Sequence, residues 1–208
     1  MLLSVPCARL PGMTGADPKA DLHDYLQAAR EALLWKLDGL SEYDVRRPLT
    51  PTGSNLLGLV KHLAGVELWY FGDAFGRPPR GPRPWSEDDA RNNADMWATA
   101  GESRDLITGM YRGAWAHADE TIQLLALDAP GYVPWWPEAE RDVTLHRVLV
   151  HVAADTNRHA GQADIVRELI DGAVGLGADN DHVRPGGPEW WERYRRQLED
   201  AAREASQG

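Results

Sequence analysis

One cysteine, two phenylalanines and no long apolar run mark this 208-residue chain. The single Cys7 has no partner for a disulfide framework or a CxxC redox pair, so a reducing, cytoplasmic setting is expected. Cations are scarce as well. Lys and Arg number 22 against 32 Asp and Glu, and the formal net charge of −10 repels a phosphate backbone, which excludes nucleic acid as a partner. No uncharged stretch approaches the ~20 residues that a membrane helix needs, so no membrane partner is expected either. The opening MLLSVPCARLPGMTGADPKA lacks a basic start and is interrupted by Pro6 and Pro11, so it does not read as a secretory signal. Residues 1–16 are read as a flexible leader, with Met13 as an alternative start, and residues 17–208 as one domain. Strand-like alternation of apolar and polar residues is missing throughout, so no β-structure is expected.

What the chain does have is helical periodicity and tryptophan. Leu22, Leu26, Ala29, Leu33 and Leu37 recur at three and four, between Pro18 and Gly39, and predict a first helix over about 18–38. A second follows over about 54–75. After a Pro-rich stretch at 76–100, a third covers about 101–127, with Leu106, Met110, Ala114, His117, Thr121 and Leu124 along one side. The fourth runs over about 144–171 and stops at Gly172, and the tail GPEWWERYRRQLEDAAREA reads as an amphipathic fifth. Four long helices around one core form an all-α bundle. Several of the nine tryptophans fall in the loops RPWSED and VPWWPE, where they either staple loop to body or line a pocket.

The fourth helix carries the chemistry, in the stretch HVAADTNRHAGQAD. At about 100° per residue, His151, His159 and Gln162 fall within about 40° of Asp155, inside the apolar stripe of Val148, Val152, Val166, Leu169 and Ile170. His146 and Asp164 point the other way, towards solvent. A carboxylate buried alone costs several kcal/mol, so Asp155 needs a partner, and a divalent cation would serve. Residues four apart on a helix can converge on one ion. Both His151 with Asp155 and Asp155 with His159 meet that spacing, whereas His151 and His159 lie about 12 Å apart and cannot share it. A third ligand must come from another helix, and His62, at the edge of the stripe of Leu59, Leu63, Val66 and Tyr70, is the candidate. Two imidazoles and a carboxylate with open positions suit zinc, or nickel or iron where the open face is larger. The same spacing also serves a plain hydrogen-bonded Asp–His pair.

In TPTGSNLLGLVKHLAGVELWYFGDAFGR, DMWATAGES, LDAPG, TLHRVLVHVAADTNRHAGQADIVRELIDG and WWERY the chain resembles the DinB-like superfamily, and within it the small actinobacterial members related to the N-terminal domain of mycothiol-dependent maleylpyruvate isomerase. The resemblance implies an up-down-down-up four-helix bundle, often a homodimer. It also implies a divalent metal held by His62, Asp155 and His159, with Gly161 and Gln162 matching an HxGQ continuation. The superfamily usually has His or Glu where Asp155 stands, and the isomerases carry an extra C-terminal domain where this chain has a short tail. The function it implies is a metal-dependent S-transferase that adds mycothiol, or a similar small thiol, to an electrophilic small molecule. His151 and Gln162 would then orient ligands or replace one, and Arg158, Trp69 and Trp97 would contact substrate. The alternatives are a non-catalytic, stress-associated metal-binding protein and a metal-dependent hydrolase, since fold alone does not fix activity.

Overall fold

The computed structural model describes residues 17–79, 85, 86, 89, 91–179 and 186–207. The leader read from the sequence lies outside them. Helix α1 spans Pro18–Trp35, α2 Leu56–Glu67, α3 Arg104–Leu124, α4 Leu145–Asp171 and α5 Pro188–Ala205. Each of the first four starts on a side-chain cap, from Asp17, Asn55, Ser103 and Thr144 in turn, whose oxygen accepts a backbone N–H of the first turn. At its far end α4 stops at Gly172, which adopts a φ of 80° that an L side chain resists. The second helix does not end cleanly: a π turn over Leu68–Gly72 and a 3-10 turn over Asp73–Phe75 carry it on to the predicted limit.

Helix α1 packs along α4 and α2 along α3, while α2 also touches α4. The core lies between these four, from Leu26 and Leu33 through Leu59 and Leu63 to Ile107, Val148 and Val152. Among the described residues no helix is long and apolar enough to cross a membrane. Helix α5 buries no residue.

Two expectations need correction. First, strands do form: Pro130–Tyr132 (β1) pairs antiparallel with Asp142–Thr144 (β2), Gly131 facing Val143. Three residues are too few to display an alternation, so the pattern search could not see them. The ribbon folds the second Trp-rich loop onto the bundle without displacing a helix. Gly131 sits against the end of the α2 extension, where a Cβ would lie 2.6 Å from the Phe75 ring. Second, the buried face of α3 is Ile107, Tyr111, Ala114, Ala118 and Ile122, rotated from the predicted side; Leu106 and Leu124 face solvent. His146 is exposed as expected, but Asp164 does more than face solvent, pairing with the buried Lys36 at 2.6 Å.

Candidate metal centre

Eleven of the twelve residues of α2 are buried, and His62 is the exception. It faces α4. There the imidazole of His159 meets it edge to face, with ring centroids 4.9 Å apart. Asp155, one turn before His159, places a carboxylate oxygen 3.6 Å from His159 Nε2. One ligand atom from each of His62, Asp155 and His159 lies within 4.8 Å of the other two. Three atoms so spaced have a common point at most about 2.8 Å from each, against about 2.0–2.2 Å for zinc ligands, so inward shifts of under 1 Å would bring all three to coordinating distance.

Both imidazoles are also held from behind. His62 Nδ1 lies 2.7 Å from the carboxylate of the buried Asp95, which can only accept, so Nδ1 donates and the lone pair of the neutral ring is on Nε2. His159 Nδ1 is likewise 2.8 Å from the side-chain oxygen of Gln162. This is the tautomer a metal ligand requires. The His159 side chain is only 12% exposed, and that burial is the main reason its pKa is lowered; the neighbouring His62 pushes it the same way, against the Gln162 hydrogen bond and Asp155. A neutral imidazole at neutral pH is the ligating form.

A cavity of about 1000 Å³ opens in front of the cluster. His62 and Asp155 line it, together with Trp69, Tyr70, Trp85 and Trp135. Trp69 stands edge-on to Trp85, and Trp135 edge-on to Tyr70, so the two Trp-rich loops meet over the end of α2. His151 lines the same space but stands apart from the cluster, its ring against Tyr70 at 4.8 Å and Trp136 at 4.9 Å. Burial lowers its pKa as well, opposed by Asp155.

Of the residues singled out in the sequence, His62, Asp155, His159 and Gln162 are thus brought together. His151 and Trp69 belong to the adjoining wall. Trp97 and Arg158 are exposed and outside the lining, although Arg158 is close enough to disfavour a charged His159. Two contributors went unnoticed in the sequence, Asp95 and the role of Tyr70, whereas Trp85 of RPWSED is one of the loop tryptophans read as a staple or a pocket wall, and it lines the cavity. Asp95 sits in a segment without periodicity, and only its place in the DMWATAGES block hinted at it.

A helical bundle with a His, Asp and His cluster at the foot of an aromatic cleft is a DinB-like architecture. Residues 21–172 match the family model described as Mycothiol-S-transferase, and the chain belongs to that family. No curated protein matches the chain. Among similar solved structures is the crystal structure of a conserved protein from Enterococcus faecalis, 16% identical, covering 75% of this chain and 98% of that one with a TM-score of 0.54. At that identity the likeness shows the fold alone.

Proposed function

We propose that the protein is a metal-dependent thiol S-transferase that joins mycothiol, or a similar small thiol, to an electrophilic small molecule in the aromatic cleft. The observation that carries this reading is the convergence of His62, Asp155 and His159 at that cleft in a chain of the mycothiol-S-transferase family. These three would hold a divalent ion, zinc by the donor set. The chemistry such an ion supplies when bound is to keep a coordinated thiol as its thiolate at neutral pH. Asp95 and Gln162 hold the two imidazoles in the ligating tautomer. Trp69, Trp85 and Trp135 would exclude water and take the apolar body of the electrophile. The partners are therefore two small molecules. A second copy of the chain would pair through the exposed stripe of Val150, Ile165 and Leu169 on α4, and a monomer mass by light scattering at micromolar concentration would reject that pairing.

The test is direct. Metal analysis of the purified protein should return one equivalent of zinc per chain, and the zinc-loaded protein should consume mycothiol when a generic electrophile is supplied. Retained zinc without thiol consumption would favour a non-catalytic metal-binding protein.

A further inference from the structure

Tyr70 occupies an unusual place in the cleft. It lies in the π turn that extends α2, it is 9% exposed, and it lines the cavity that His62 and Asp155 also line. Two indoles donate to its oxygen: Trp136 Nε1 at 2.8 Å and Trp135 Nε1 at 3.3 Å. An indole N–H can only donate, and a phenol oxygen has room for no more than two such bonds. The acceptor capacity of Tyr70 is therefore filled. What remains is its own O–H, a donor, and among the described residues no acceptor takes it. Two N–H groups aimed at the oxygen also favour negative charge collecting there as the hydrogen is shared outward.

We propose that Tyr70 donates its phenolic hydrogen to the carbonyl oxygen of a flat, conjugated carbonyl compound, which makes it a catalytic residue of the thiol addition assigned above and rests on that assignment. Such a compound has an apolar, conjugated body, and Trp69, Tyr70 and Trp135 give the cavity an aromatic lining that suits it. In the step, the thiolate sulfur forms a bond to the β-carbon. The C=C pair shifts to join the α-carbon to the carbonyl carbon, and the C=O pair moves to the oxygen, which becomes an enolate oxygen hydrogen-bonded by Tyr70. Water then delivers a proton to the α-carbon, the carbonyl re-forms, and Tyr70 keeps or regains its hydrogen. The proton lost from the thiol balances the one gained at carbon, and nothing is oxidised or reduced. An alkyl halide makes no such demand, because its leaving halide needs no proton.

The experiment compares zinc-loaded wild type with Tyr70→Phe on two electrophiles, benzylideneacetone and benzyl bromide, which has no carbonyl, with mycothiol as the thiol. The ratio of the rate with the enone to the rate with the halide is expected to fall at least about tenfold in the variant, the scale of one hydrogen bond to developing charge. Because the substitution leaves two indole N–H groups without their acceptor, the ratio is the safer reading, since a loosened loop lowers both rates together. Binding provides a second readout. By fluorine NMR on the same proteins, para-fluoroacetophenone should bind wild type and bind Tyr70→Phe about fivefold more weakly, while para-fluoroethylbenzene should show a smaller difference. Equal losses on both electrophiles, an unchanged enone rate, or ketone binding that is absent or indifferent to the substitution would each overturn the proposal. Should wild type consume thiol with neither electrophile, the transferase reading fails, and the ketone titration alone decides whether Tyr70 is a donor to a carbonyl.

Discussion

At the scale of single residues, the site is a matter of which nitrogen is free. Asp95 and Gln162 each occupy one ring nitrogen, so His62 and His159 have one lone pair apiece to offer. Replacing His159 by Ala should abolish zinc retention without loss of helical circular dichroism, because the core fills without an ion. Asp155→Glu, one methylene longer, should retain zinc at least as well as the wild type. Asp95→Asn still bonds to the imidazole but no longer fixes the tautomer, and zinc affinity should fall about 10- to 100-fold in competition with a chromophoric chelator. Zinc retention should also survive mild acid. Burial lowers the His159 pKa, so protons compete only below the ordinary histidine value of about 6.5, and release beginning above that value would contradict the reading.

At the scale of elements, α2 and the segment that crosses it are one unit. Gly58 lies under the Met96 carbonyl, where an added Cβ would sit 1.9 Å from the oxygen. Asn55 ties the same crossing, its side chain donating to that carbonyl at 3.0 Å while accepting from the Gly58 N–H. Gly58→Ala must push the 95–98 segment outward, and Asp95 with it, so it should cost about 1–3 kcal/mol of stability and weaken zinc binding at the same time. Loss of stability with full zinc affinity would separate the two. This crossing also marks how far the sequence could be read. The four helices and their order followed from period and caps, because burial of one face repeats every few residues. The convergence of His62 with Asp155 and His159 followed from spacing and from the family resemblance. The hold of Asp95 on His62, the ribbon around Gly131 and the rotated face of α3 did not, since each depends on where an aperiodic loop or a neighbouring helix comes to rest. Ala114 and Thr121 suited either face of α3, and only packing against α2 decided it.

At the scale of the whole molecule, one buried network joins three helices. Arg30 of α1 forks onto Glu67 of α2, its Nε 2.8 Å from a carboxylate oxygen, and also reaches Asp119 of α3 at 2.8 Å, which His23 contacts from the other side. Burial pushes the Glu67 carboxyl up to about 7 in spite of Arg30. Burial would raise Asp119 too, but the hydrogen bonds from His23 and Arg30 outweigh it and hold that carboxyl low. Asp119 thus remains the counter-charge to Arg30 when Glu67 is protonated. Between the unfolded value of 4.5 and about 7, the folded chain holds a proton at Glu67 that the unfolded chain has released. Its contribution to stability is therefore complete below 4.5 and is lost as pH rises through about 7, by at most about 3 kcal/mol. His151 and His159, both lowered, act in the opposite sense over part of that window, gaining stability as pH rises. Comparison with Glu67→Gln removes them from the balance, because they titrate alike in both proteins while the amide imitates the protonated acid. In urea unfolding of the metal-free proteins, the variant should gain on the wild type steadily from pH 4.5 to pH 7.5. A difference that stays flat across that range would mean that Glu67 is ionised throughout, and that the fork to Arg30 rather than burial governs it.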